Sequence, residues 1–294
     1  MSSGISRAGL WLLERWLLAR AGEPSAPCVF ILGLPRSGAS LVYQYLVHRL
    51  DLAYFTNGVG RHPDTPASVT HLQRRLRGTY RRDDRYRKER GPVEPREAGA
   101  FWKRIFDHEG YTTLEDLDPT RQKRVRRTLA AIQKSFRGAP FVNKHSEHVL
   151  RVDALARVFP DSVFVVVERD LREVALSVYR ERRTLIESPS SWMSMHSENG
   201  PDLETKPVEE QVAAQLTSIQ RRLARDLVCL PARRVLCTDY DGFCREPDAL
   251  AAELARRIGP LDWRNAAVAS FAPRHRSPRT ASEERLLDLI GARE

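Results

Sequence analysis

No apolar run in this chain reaches the roughly 18 residues that a membrane-crossing helix needs. The apolar stretch Trp11–Leu18 (WLLERWLL) is short and broken by Glu14 and Arg15. It reads as an amphipathic N-terminal helix rather than a membrane-surface anchor. A signal peptide, with a clean apolar core and a cleavage-like site, is also missing, so a cytoplasmic location is expected. Cysteine is scarce: Cys28, Cys229, Cys237 and Cys244 form no C-x-x-C pair, and no histidine cluster completes a zinc pattern. Reduced structural thiols are expected, and no metal. Helix-turn-helix, zinc-finger and RNP patterns are absent too, which argues against a nucleic-acid partner. That matters because the chain is basic, with net charge +10 and pI near 9.8. Such a balance suits an anionic ligand or acceptor.

The 294 residues are 41% hydrophobic and 29% charged, enough for one large α/β domain spanning 1–294. Its parts are an N-terminal helical extension (1–27), a core (28–259) and a C-terminal tail (260–294). Strand patterns fall at Val29–Leu32, Phe141–Lys144, Val163–Val167 and Arg234–Cys237, with a short one at Asp51–Phe55. Helical periodicity marks Thr120–Phe136, Val149–Phe159, Arg172–Arg183, Val208–Leu227 and a segment through Leu250, Leu254 and Ile258 that stops at Gly259-Pro260. Loops are expected at Asn57–Pro66, Gly91–Gly99 and, Ser/Pro-rich, Thr184–Pro207. VFVVV at 163–167 is β-branched and continuous, as in a strand covered on both faces. The alternation predicts a mostly parallel central sheet with helices on both faces, a three-layer α/β sandwich. Arg74–Arg90 carries nine Lys/Arg against three acids and reads as a solvated helix or as an electropositive rim.

The chemistry begins after the first strand. Gly33–Ser40 reads G-x-x-x-x-G-A-S between a strand and a helix, a geometry that aims backbone N–H groups and a helix dipole at an anion. The spacing is that of a Walker A loop, but Ala39 stands where an NTPase needs lysine. No lone acid follows the strand Val163–Val167 either; it runs into Glu168-Arg169. A P-loop kinase or NTPase is therefore the second reading. Arg169 follows that strand, and Ser177 comes eight residues later. Arg169 offers a planar charged fork for a phosphate, and Ser177 lies about 9 Å along the next helix. Strand ends are where parallel sheets bind ligands.

Together these residues resemble the sulfotransferases that use 3′-phosphoadenosine 5′-phosphosulfate (PAPS), particularly bacterial members. The matching segments are Pro35-Arg36-Ser37-Gly38-Ala39-Ser40, Arg169…Ser177, Phe159-Pro160-Asp161 and Thr238-Asp239-Tyr240-Asp241. The resemblance spans about Cys28 to Gly259. It implies a P-loop-like fold, PAPS as co-substrate and transfer to a hydroxyl acceptor, such as a carbohydrate, glycolipid or small molecule. It further implies that Pro35–Leu41 hold the 5′-phosphosulfate and that Arg169 and Ser177 hold the 3′-phosphate. Ala39 departs from the family's usual Thr. Losing one hydrogen bond to a charged group costs roughly 1.5–3 kcal/mol, so weaker donor binding is expected. A catalytically weak PAPS-binding relative is a third reading.

Sulfuryl transfer is an in-line displacement in which the protein positions groups and neutralises charge. Arg36 is the first candidate to stabilise the leaving phosphate, and Lys144 the second. The base that accepts the acceptor's proton is Glu97 or His145; family branches use either type. Glu94, His148 and His62 are weaker candidates. Trp102 fits the core better than an acceptor platform. Trp192, in the long loop, fits a lid or acceptor role as well as a plain loop position. Arg274-His275-Arg276 either reaches the 3′-phosphate or belongs to a solvated tail.

Overall fold

The computed structural model describes residues 6–77, 91–107, 110–185, 203, 205–259, 261–265 and 270–293. The sheet is built where the sequence is continuously apolar. β1 (Cys28–Leu32) has no residue suited to water, and all five are buried. β2 (Phe141–Lys144) and β3 (Val163–Glu168) flank it in parallel, and β4 (Val235–Asp239) pairs with β3. The order is β2-β1-β3-β4, all parallel. Burial on both faces explains the lack of alternation in β1 and β3, whereas β4, at the edge, has Cys237 and Asp239 exposed.

Helices cover the sheet. α1 (Arg7–Ala21) is capped by Ser6, whose Oγ accepts from the Gly9 N–H at 3.1 Å. α2 (Ala39–Arg49) follows β1, α3 (Pro66–Arg77) packs on α1, and α4 (Gly99–Ile105) precedes α5 (Pro119–Ser135). Asp118 caps α5, accepting from Thr120 N–H at 2.8 Å, with Pro119 at its first position. After β2 come α6 (Val152–Val158), β3 and α7 (Leu171–Leu185). α8 (Val208–Val228), β4, α9 (Tyr240–Arg245), α10 (Pro247–Ile258) and α11 (Ala281–Gly291) complete the described elements.

Several expectations change. Asp51–Phe55 is not a ladder strand: it meets the sheet at one bridge, Ala53 opposite Phe141, with the Val142 N–H donating to the Ala53 carbonyl at 2.7 Å. Asn57–Gly60 is a turn of 3₁₀ helix rather than plain loop. The helix expected over Val149–Phe159 is two pieces, a 3₁₀ turn at Ser146–Leu150 and then α6. The break falls at Arg151, a buried guanidinium bound to Glu147 and 4.7 Å from the Phe106 ring. The Leu150 carbonyl is taken by the Thr112 N–H at 2.9 Å instead of a helical neighbour. α7 runs on through Thr184 and Leu185, which were expected in a loop. The remainder of that loop, including Trp192, lies mostly outside the described residues, as does 78–90 of the basic stretch.

The expected tail is also structured in part. Thr280 caps α11, accepting from the Glu283 N–H at 3.3 Å, and the Glu283 carboxylate accepts in turn from the Arg279 N–H at 2.6 Å. Leu286, Leu287 and Ile290 are buried, with α11 packed against α7 and α8. Arg180 on α7 anchors it through both Glu283 oxygens, at 2.7 and 2.9 Å.

The strand order places the site. From β1 the chain moves to β2 on one side; from β3 it moves to β4 on the other. Loops leaving β1 and β3 therefore diverge, opening a crevice at the carboxyl ends of the two strands. Gly33–Gly38 and Arg169 border that crevice.

Candidate active site

The loop after β1 is tight for identifiable reasons. The Ser37 N–H donates to the Leu34 carbonyl at 3.0 Å, closing a turn. A Cβ at Gly33 would lie 2.4 Å from Ser37 Oγ and 3.1 Å from the Val167 carbonyl of β3. Gly38 has φ +97°, and a Cβ there would lie 2.4 Å from the Tyr240 ring. Arg36 takes φ 71° although it is not glycine, so the loop stores backbone strain at its centre. α2 starts at Ala39. The Ala39 and Ser40 N–H groups, heading a helix, have no carbonyl one turn behind them. Ser37 Oγ is buried and has no hydrogen-bond partner. An unpartnered buried hydroxyl beside free helix-head amides suits an anion. Ala39 is buried in the core cluster. Pro35, Ser40 and Leu41 complete the segment.

The second group lies on the α7 side. Arg36 does not reach toward Lys144; its Nε donates to Ser177 Oγ at 3.1 Å, and its Nη1 pairs with Glu181 at 2.9 Å. Arg169 donates to the Arg36 carbonyl at 3.2 Å, pairs with Glu173 at 2.8 Å and also donates to the Arg274 carbonyl. Its guanidinium carbon is 4.2 Å from the Tyr240 ring centroid. Tyr240 thus supports Arg169 and closes on Gly38 at once. The structure brings Arg274–Arg276 here as well, with Arg274 and His275 still exposed to solvent. His275 Nδ1 is 2.8 Å from Glu173. Partial burial opposes charge on Glu173, but hydrogen bonds from His275 and Arg169 outweigh it and hold the carboxyl below its ordinary range. Burial, and then the guanidinium groups of Arg169, Arg36, Arg180 and Arg274, push the Arg276 pKa down. Five arginines therefore share one neighbourhood, and Arg36 links it to Ser177. A cavity of ≈ 650 Å³ adjoins them, lined in part by Arg169, Tyr240 and Arg276.

A third group lies at the end of β2. Lys144, opposite Ile31 in register, pairs with Glu97 at 2.8 Å. Glu97 also accepts from Ser40 Oγ at 3.3 Å, which ties it to the head of α2. Its side chain stays 34% exposed. The backbone below Glu97 is fixed by Asn143, whose Nδ2 donates to the Arg96 and Glu97 carbonyls at 3.2 and 3.4 Å. Asn143 Oδ1 accepts from Trp102 Nε1 at 2.8 Å and faces His148 Nε2 at 3.0 Å. Trp102 and His148 are therefore core supports of this group. His145 is 8% exposed. Burial, then Arg151, Lys144 and Lys103, push its pKa down to about 3. His148 is shifted well below its ordinary value, chiefly by burial. Glu94 turns back onto Gly91. His62 lies in the turn before α3, apart from all three groups.

Sequence reasoning assigned no role to Tyr240, Asn143, Glu173 or Glu181. The glutamates carried a legible signal: 173, 177 and 181 are four apart and so share one face of α7. Tyr240 was legible only as part of the family-like segment Thr238–Asp241, and Asn143 carried none, since its contacts join distant segments.

The described residues thus form an all-parallel α/β sheet with a lysine-free glycine loop after β1 and an arginine-rich group after β3. The sequence profile described as "Sulfotransferase family" matches residues 27–264, and the chain belongs to that family. The sulfotransferase STF9 from Mycobacterium avium shares the fold at TM-score 0.55, with 16% identity over 96% of this chain and 71% of that one. STF1 from Mycobacterium tuberculosis H37Rv gives TM-score 0.56, 14% identity, 96% and 79%. No curated protein sequence matches the chain. No helix among the described residues is long and apolar enough to cross a membrane.

Proposed function

We propose that this chain moves a sulfuryl group from PAPS to an acceptor hydroxyl. One observation carries the reading: the Gly33–Gly38 loop and the arginine-rich group on the α7 side, the two groups read as anion sites, meet through Arg36. Its backbone belongs to the Gly33–Gly38 loop, while its side chain reaches Ser177 at 3.1 Å. A nucleotide with phosphates at both its 3′ and 5′ positions fits two separated anion sites, and a linear polyphosphate does not.

When bound, PAPS supplies an activated sulfuryl group whose departure leaves a bisphosphate. The chain's residues divide the remaining work. The Gly38, Ala39 and Ser40 amides and the Ser37 and Ser40 hydroxyls bind at the 5′ end. Arg169, Ser177, Arg276 and Arg36 bind at the 3′ end. Arg36 was expected at the leaving phosphate, but its side chain favours the 3′ side. Lys144 is then the cation nearest the transfer, where a fixed charge stabilises developing negative charge. Glu97 is the base. It is exposed enough to meet an acceptor, and Asn143 and Ser40 hold its position. His145, buried and with its pKa at about 3, is a poor proton acceptor.

Turnover assays with PAPS and a panel of hydroxyl acceptors test the proposal. Transfer should be measurable with wild type and lost in Glu97→Gln while donor binding persists. Unchanged turnover in that variant would overturn the assignment of the base.

A further inference from the structure

α1 has two apolar faces. Leu10 is buried and Leu17 and Leu18 pack on the core, beside its one acid, Glu14, which is buried too. The Glu14 carboxylate accepts from the Ala67 and Ser68 N–H groups at the start of α3, at 3.2 and 2.7 Å. Three further large apolar residues face outward: Trp11 is 41% exposed, Leu12 69% and Trp16 50%. At 100° per residue, Ala8, Leu12, Arg15 and Ala19 form one stripe, edged by Trp11 and Trp16. Every one of these residues is exposed.

The charge on this face has one sign. Arg7, Arg15 and Arg20 are exposed, and the outward surface of α1 carries no acid. Among the described residues, Arg7 and Arg15 have no ion-pair partner. Arg20 lies over the Trp16 ring, 4.4 Å from its centroid. α3, packed on α1, closes with exposed Arg75 and with Leu76, 75% exposed.

From these features we infer that α1 lies flat on a bilayer surface bearing anionic headgroups. Tryptophan favours the headgroup level, Leu12 enters the acyl boundary, and arginines on and beside the apolar stripe match a negative surface. A second copy of the chain is a poorer occupant. A two-fold contact through this face would set arginines against arginines with no carboxylate between them. This inference stands apart from the donor chemistry and survives its failure.

Co-sedimentation tests it, using vesicles of phosphatidylcholine alone and of phosphatidylcholine with 40% phosphatidylglycerol. Wild type should partition at least tenfold more strongly onto the anionic vesicles, since each arginine near the surface is worth roughly fivefold. Leu12→Ser with Trp16→Ser should reduce that partition at least tenfold. Arg15→Glu, an exposed change that leaves the packed side of α1 intact, should reduce it at least fivefold at an unchanged melting temperature. Equal partition onto both vesicles, or none, would overturn the inference. So would a dimer in solution that Trp16→Ser dissolves in the absence of vesicle binding.

Discussion

Mild acid should destabilise this protein through His145, before most of its carboxylates begin to titrate. The imidazole is buried beside Arg151, Lys144 and Lys103, and its pKa falls to about 3. In the unfolded chain it returns to the ordinary value of 6.5. Between those values the unfolded chain binds a proton that the folded chain refuses. Stability therefore rises with pH across this window and is lost as pH falls below 6.5. At pH 5 the group lies about 1.5 pH units below its unfolded pKa, so the loss relative to neutral pH is about 2 kcal/mol. His148, buried and shifted the same way, adds to the loss. Glu283, held at about 2 by Arg180, contributes only at more acid pH. His145→Gln removes the titrating group and keeps a polar side chain. Urea unfolding at pH 7, 6 and 5 should show wild type losing about 2 kcal/mol more than the variant between pH 7 and pH 5. Parallel curves would refute the argument, because they would mean that His145 accepts a proton in the folded state.

Glu97→Gln should lower kcat by roughly 10²–10⁴ with little change in donor KM, as expected for loss of a general base, and Lys144→Ala should also act mainly on kcat. Steady-state kinetics separate these from the second site. Arg36→Ala and Ser177→Ala should each raise donor KM roughly ten- to hundredfold, the worth of a charge-assisted hydrogen bond, with smaller effects on kcat. A kcat collapse in Arg36→Ala alone would return Arg36 to the transfer step. Gly38→Ala places a side chain at φ +97° and 2.4 Å from Tyr240. It should cost at least ~1–2 kcal/mol in denaturant unfolding and weaken bisphosphate binding.

What the sequence made legible was local. β1, its glycine loop and β3 announce themselves by continuous apolar residues and a strand-to-helix break. Arg169 and Ser177 are readable because a strand end and a helix turn fix their spacing. The rest depends on contacts between distant segments. Arg151 divides an apparently continuous helix because Phe106 and Thr112 meet it in space. Arg274–Arg276 could be read as a tail because their anchors, Arg169 and Glu173, lie far away in the chain. Arg36 was placed at the leaving phosphate from its position in the loop alone. Its left-handed backbone and its partners on α7 turn it the other way. Glu97 could be shortlisted from its loop, but only Lys144, Ser40 and Asn143 distinguish it from Glu94.

The central claim is that one crevice holds two separate phosphates. Calorimetric titration with 3′,5′-bisphosphoadenosine, with magnesium and with a chelator, tests it most directly. Binding at one site per chain, equal under both conditions and weakened in Arg169→Ala, is the predicted result. Absence of bisphosphate binding, or tighter binding of magnesium-ATP, would contradict it.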